Sequence, residues 1–350
     1  MKQESDVFIL KFKRMEKESD VYGVNKMAKT VLPISIIIPT LNRPIALQRT
    51  INELISNEYI PSQIIVIDQS ENKINQKLNK QALRICNDIS VNYHYQETPS
   101  STKARNTGLD LCRNDIVIFS DDDVDVNHDT LINVFRLLSN QKIAMIAGID
   151  ENMGISKTML GYIFGVKSFR KRNIGHVTES IHGTYPNKVT GQVNTQWAMG
   201  YFFVCRKSLI NKWGIRWDET LTSYAYAEDL DFTYSYYKKA AEENLACVLN
   251  DMVKVKHMVS REFRVTSYHS TLMYVMNREY LSYKHFNSIR SRLATRWANI
   301  GEFLSRIVKK NHPFYLIKAQ FYCDKYRKDI KKGILHTELY QSKEDKKGRE

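Results

Sequence analysis

Three consecutive acids, Asp121, Asp122 and Asp123, close the apolar run Ile116-Val117-Ile118-Phe119, and Asp125 follows two residues later. On an extended segment successive side chains alternate faces, so Asp121 and Asp123 share one and Asp122 points away. Two carboxylates converging on one spot repel unless a cation lies between them. Oxygen donors of this kind suit Mg²⁺ or Mn²⁺, ions that commonly bridge to a substrate phosphate. The plainer reading is a solvated acidic turn leading into a helix near Asp129. A second acidic group, Glu228-Asp229-Leu230-Asp231, opens a helical pattern. The helix dipole alone favours acids there, but a shielded carboxylate beside a cation and a hydroxyl can also serve as a general base. Lys103 and Arg105 lie near the start of another helix, Thr102–Leu109, where they can bind phosphate or simply decorate a surface. His257, in Val255-Lys256-His257-Met258, follows a β-like stretch. A lone His is usually structural; beside Asp123 it would complete a metal site.

The surrounding elements put these groups on one edge. Ile34–Ile38, Ile64–Ile67, Val91–Tyr95 and Ile116–Phe119 read as short buried strands. Between them, Ala46–Asn57, Gln76–Asn87 and Lys103–Cys112 read as helices. This alternation predicts an α/β fold with a mostly parallel, Rossmann-like sheet and helices on both faces. Ligands in such folds bind at the carboxyl ends of the strands. Residues 150–195 show no strong periodicity, as functional segments of that length often do. Trp197–Cys205 then reads as a strand, Ala227–Glu243 as a helix, and everything beyond Thr266 as helical.

Composition narrows the class. With 43% hydrophobic and 26% charged residues, the 350-residue chain is an ordinary folded protein. Its longest apolar stretch, Trp197–Cys205, is about half of what a membrane-spanning helix needs. The first 30 residues read as a polar tail without an export signal. Five widely spaced cysteines with no Cys-x-x-Cys pair argue against a disulfide framework or zinc site, and so for the cytoplasm. The net charge of +14 is uneven: residues 261–350 hold 20 Lys and Arg against 9 Asp and Glu, the rest 32 against 29. A basic patch of that size suits an anionic partner or plain solubility.

The order of the motifs resembles glycosyltransferase family 2, the inverting group with the GT-A fold, from Ile34 to about His257. SIIIPTLNRP resembles its opening strand and loop, IIVIDQSE its second strand, STKARNTGL its ARN-x-G helix and IVIFSDDDV its DxD strand. FVCRKSLINKWG with WDETL and AEDLDFTY resembles the acceptor-side segment and ED helix. The resemblance implies a nucleotide-diphosphate sugar donor, a hydroxyl-bearing glycan or lipid-linked acceptor and a divalent cation. It places Pro39, Thr40, Asn42 and Arg43 beside the nucleotide, and Asp68 on the base or ribose. Arg105 would position the diphosphate, Asp121 the ribose side with Asp122 next to it, and Asp123 the cation, with His257 as a further ligand. Asp229 would be the base and Glu228 would shape the acceptor pocket, roles that can be exchanged. Ala227 stands where the family often has Gly, implying a less sharply turned loop, and Gln69 where a second acid is common.

Three parts are expected: a tail (1–30), a catalytic domain (31–260, with a nucleotide-sugar half to 150 and an acceptor half beyond) and a basic helical extension (261–350). In the extension Leu293, Trp297, Ile300, Leu304 and Ile307 form one stripe among Arg290, Arg292, Arg296, Arg306, Lys309 and Lys310. Such a helix can lie on an anionic membrane surface, as a peripheral protein would, or pack its stripe on the catalytic domain or a second copy. A nucleotidyltransferase shares the fold logic, but no Gly-rich loop follows the first strand. An aspartyl-phosphate phosphatase would carry its acids on the first strand. A nucleic-acid partner is not expected, because acids at the strand ends repel phosphate.

Overall fold

The computed structural model describes residues 29–153, 159–222, 226–259 and 266–340. The expected N-terminal tail lies outside the described residues except for its last two, and Thr30 already belongs to the first strand.

The strands are β1 (Thr30–Thr40), β2 (Tyr59–Asp68), β3 (Ser90–Tyr95), β4 (Ile116–Ser120), β5 (Val124–Val126), β6 (Ile143–Asp150), β7 (His176–Val177), β8 (Gly183–Thr184), β9 (Gln192–Asn194), β10 (Phe202–Arg206) and β11 (Ala246–His257). The principal helices are α1 (Pro44–Ser56), α2 (Lys73–Ala82), α3 (Ser101–Leu111), α4 (Thr130–Leu138), α5 (Lys207–Trp213), α6 (Glu228–Glu242), α7 (Ser267–His285), α8 (Ile289–Val308), α9 (Phe314–Lys325) and α10 (Arg327–Lys331). A nine-stranded sheet runs β3-β2-β1-β4-β10-β6-β11-β5, with β9 also against β11. Pairing is parallel from β3 through β4 and between β6 and β11. β10 runs antiparallel between β4 and β6, and β5 and β9 run antiparallel to β11.

Burial on both faces explains the unbroken apolar strands. Ile36, Ile38, Ile64, Val66 and Ile118 pack on one side with Leu47 and Ile51 of α1 and Val134 of α4. Their sequence neighbours Ile37, Ile65, Ile67 and Phe119 pack on the other, with Ala104 of α3 and Phe232 and Tyr236 of α6. Each such side chain contributes about 1.5–3 kcal/mol. Gly108 has a steric reason: a Cβ there would meet Ile37 Cγ2 at 2.4 Å, so only glycine lets α3 rest on β1. A third cluster joins α7 and the later helices to Trp197, Ile181 and Leu230.

Several boundaries differ from the sequence pattern. The expected Trp197–Cys205 strand is regular only from Phe202, because the amides of Ala198, Met199 and Gly200 donate to Thr233, Tyr185 and Asp229 instead of a ladder. The helix expected over Gln76–Asn87 starts earlier, where Asn72 caps it, and yields to a 3₁₀ turn after Ala82. All five cysteines are buried free thiols.

Candidate active site

The three acids lie past the end of β4, with Asp122 and Asp123 in the turn before β5, so the turn rather than strand alternation sets their directions. Thr40 Oγ1 donates to Asp122 Oδ2 at 2.6 Å and Arg43 Nη1 to Asp122 Oδ1 at 3.2 Å, so Asp122 fastens the β1–α1 loop while lining the same cleft as Asp121. Burial, only partly offset by Arg43, pushes its carboxyl up to about 7. Asp121 and Asp123 meet His257, and one ligand atom from each lies within 4.8 Å of the others. Pairing of β11 with β5, His257 opposite Val124, brings the imidazole there. Its Nε2 lies 3.2 Å from Asp123 Oδ1, and its ring stacks on Tyr201 with centroids 5.2 Å apart. Burial works against the imidazolium, but the Asp123 hydrogen bond and the nearby carboxylates outweigh it and raise the pKa. Two carboxylates and one imidazole form a mainly oxygen donor set that fits Mn²⁺ or Mg²⁺.

The other residues expected beside a nucleotide divide into two groups. Pro39, Thr40 and Arg43 line a cleft of about 500 Å³, with Gln69 and Ser100. Asp68 is buried, and its carboxylate accepts from the Ser70 amide, Asn79 and the Tyr93 hydroxyl, bonds that lock the end of β2. Asn42 adopts a left-handed φ of 55° and donates its amide to Ser70 Oγ at 2.9 Å. Asp68 and Asn42 thus shape the loops, while Gln69 faces the cleft between them.

At the opposite wall, Ala227 takes the left-handed φ of 67° just before α6. The turn is therefore as sharp as a glycine would make it, contrary to the expectation from its methyl group. Glu228 Oε1 accepts from Arg105 Nη1 at 3.1 Å, while Arg105 Nη2 donates to Asp121 Oδ1 at 3.1 Å. The guanidinium also stacks over Trp217, 4.6 Å from the ring. Asn106, next in the motif, donates to the Trp217 carbonyl and to Glu219, which joins the ARN and WDET segments in space. Asp229 Oδ2 accepts from the Gly200 amide at 2.8 Å and Oδ1 from the Leu230 amide at 2.7 Å. Burial raises the pKa of both acids; Glu228, with Asp229 beside it, reaches about 7 despite Arg105. Asp231 turns away and pairs with Lys284 and His285 of α7.

Asp121, Glu228, Asp229 and His257 all line the same cleft. Sequence reasoning missed further cleft residues: Asp150, His182, Trp197, Tyr201 and Tyr226. Asp150 and His182 fall in the aperiodic stretch and Trp197 and Tyr201 in the expected strand after it, so no local pattern marked them.

A curled, mostly parallel sheet whose strand-end acids share a cleft with a second carboxylate pair defines a GT-A architecture. The chain belongs to glycosyl transferase family 2, whose sequence profile matches residues 35–214. It is 28% identical over 135 residues to the GalNAc(5)-diNAcBac-PP-undecaprenol beta-1,3-glucosyltransferase of Campylobacter jejuni, a stretch covering 37% of this chain and 42% of that protein. Its fold is similar to that of the mannosyltransferase PcManGT from Pyrobaculum calidifontis in complex with GDP-Man and Mn²⁺ (TM-score 0.50, 12% identity, covering 95% of this chain and 92% of the other). GalNAc-T7 with UDP, GalNAc and Mn²⁺ is similar at a TM-score of 0.50 and 15% identity, covering 79% and 55%. No helix among the described residues is long and apolar enough to cross a membrane.

Proposed function

We propose that this protein transfers a hexose from a nucleotide-diphosphate sugar to a hydroxyl of a glycan or lipid-linked acceptor, inverting the anomeric centre in one displacement. The observation that carries this reading is the single cleft holding Asp121 and His257 on one wall and Asp229 on the other. Related architectures hold a nucleotide or nucleotide sugar with Mn²⁺, and the curated relative is named for a polyprenyl-diphosphate-linked acceptor.

Asp121, Asp123 and His257 are the residues that would hold a divalent cation. When bound, the cation supplies positive charge to the leaving diphosphate. Pro39, Thr40 and Arg43 would flank the nucleotide from the β1–α1 loop, which Asp122 keeps in place. Base and ribose contacts fall to the end of β2, where Asp68 sets the backbone that presents Gln69. Arg105, between Asp121 and Glu228, fixes the distance between donor and acceptor walls. Glu228 is engaged with that guanidinium, which leaves Asp229 to take the acceptor proton. As the acceptor oxygen bonds to the anomeric carbon, the carbon–oxygen bond to phosphate breaks and the proton passes to Asp229. The Gly200 and Leu230 amides hold the Asp229 carboxylate in one orientation.

Purified protein should be assayed against a panel of nucleotide sugars with and without Mn²⁺. Asp229→Asn is expected to lower turnover by about 10²–10⁴ while leaving nucleotide binding near that of the unaltered protein. Unaltered turnover in Asp229→Asn would remove the assigned base, and full activity in excess chelator would remove the cation.

A further inference from the structure

Helix α8 is amphipathic in the inverse sense. The residues it buries are small or polar: Ser291, Thr295, Ala298 and Asn299. Asn299 accepts a hydrogen bond from the buried guanidinium of Arg278 on α7, so the inner face of the helix is committed to a polar network. Its apolar stripe points outward, with Leu293, Trp297, Ile300, Leu304 and Ile307 between 47 and 61% exposed. The fold leaves the stripe about half exposed, with Trp297 partly covered by the segment at Ile163 and Phe164.

Two other segments extend the face. On α9, Phe314, Ile317 and Phe321 recur at helical spacing and are exposed. Beside α8 lies a single helical turn, Leu160–Ile163, fastened by a hydrogen bond from Trp297 Nε1 to the Ile163 carbonyl at 2.9 Å. The Phe164 ring packs 5.2 Å from Trp297 and over Gly301, where a Cβ would meet it at 2.3 Å. Leu160 and Ile163 nevertheless remain exposed, as does Phe169, which stacks on Tyr162. Soluble monomers rarely expose contiguous apolar surface on this scale without using it.

The surrounding charge indicates the occupant. Residues 289–310 carry six Lys and Arg and one acid, and residues 159–175 carry four and none. Lys309, Lys310, Arg170, Lys171 and Arg172 are all exposed. A two-fold pair of copies would press these cationic rims against each other. An anionic headgroup layer over acyl chains matches both the charge and the stripe.

We propose that this face lies on an anionic lipid bilayer, with the α8 stripe among the acyl chains and the cationic rim on the headgroups. The attachment also orients the cleft. Ser180 Oγ donates to the Gly165 carbonyl at 2.7 Å, just past the docked turn, and the following Ile181 and His182 line the cleft wall. The surface therefore adjoins the acceptor side, where a lipid-linked hydroxyl would arrive. The identity of that acceptor rests on the proposed function; the attachment does not.

The test is flotation of the full chain with vesicles of phosphatidylcholine, or of phosphatidylcholine containing about one-third phosphatidylglycerol. Binding is expected only to the anionic vesicles and should fall about fivefold for each cation removed. Leu304→Ser with Ile307→Ser, and separately Lys309→Glu with Lys310→Glu, should each lower recovery at least about tenfold at unchanged melting temperature. Recovery of the unaltered protein in the unbound fraction would overturn the inference. So would sedimentation showing a dimer that either double variant dissolves. Flotation without sugar transfer from any donor would leave the attachment standing and remove the proposed function; transfer to a soluble acceptor without flotation would do the reverse.

Discussion

Arg105 and Glu228, 123 residues apart in the chain, meet at 3.1 Å, and the same guanidinium holds Asp121 with its other nitrogen. One buried cation thus ties the strand-end acids to the acids that open α6. Neither wall of the cleft is placed independently of the other.

Removing that cation would strand two carboxylates. Arg105→Ala is expected to cost about 3–5 kcal/mol, the usual consequence of breaking a buried ion pair from one side. Arg105→Lys keeps the charge but not the two-armed geometry, so it should lose less stability and still lose turnover. Denaturant unfolding and initial rates on both variants check this.

The raised pKa of Glu228, about 7, has opposite consequences for rate and stability. As pH falls through 7, Glu228 takes up a proton, its attraction for Arg105 weakens, and turnover should decline along an acid limb. The folded state binds that proton at a higher pH than the unfolded chain does. Folding is therefore favoured, not opposed, as pH falls from about 7 toward the ordinary Glu range near 4.5. Glu228→Gln, which mimics the protonated acid, should remove the limb near pH 7 and hold turnover at its low-pH level. A kcat–pH profile of the two proteins decides.

Thr40 supplies a 2.6 Å hydrogen bond to the buried Asp122 carboxylate. Thr40→Val should cost about 1.5–3 kcal/mol, typical of a lost hydrogen bond to a charged group. The β1–α1 loop would loosen, so donor KM should rise more than kcat falls. Steady-state kinetics with a fixed acceptor check the split.

Ala227 holds a left-handed backbone that a larger branched residue tolerates poorly. Ala227→Val is expected to destabilise by about 1–2 kcal/mol. Ala227→Gly relieves the strain but frees the unfolded chain, leaving a net change within about 1 kcal/mol. Thermal unfolding of both variants distinguishes backbone strain from lost packing.

Asp218 is pulled down to about 2: burial raises its pKa, but hydrogen bonds from Lys284 and Tyr280 on α7 more than reverse this. Its folded pKa lies below the unfolded value, so its contribution of about 2 kcal/mol is present above pH 4 and lost as pH falls through 2. Asp218→Asn should remove that part of the acid dependence between pH 4 and 2 in denaturant unfolding.

Much of this protein is legible in local pattern. Apolar runs such as Ile34–Ile38 form strands because both sheet faces are covered. Acids at a strand end or in a first helical turn are local signals too, and both proved to line the cleft.

Other features depend on pairings between distant residues, which no local window contains. The antiparallel insertion of β10, the meeting of His257 with Asp123 through β11 and β5, and the bridge from Arg105 to Glu228 are of this kind. The partners of the Asp68 carboxylate, Ser70, Asn79 and Tyr93, are likewise assembled only by the fold. The stripe on α8 shows the division most plainly. Its spacing establishes an amphipathic helix, but which face meets the interior depends on what stands beside it, and Arg278 claims the polar side. Periodicity is a property of the helix alone; burial is a property of the whole assembly.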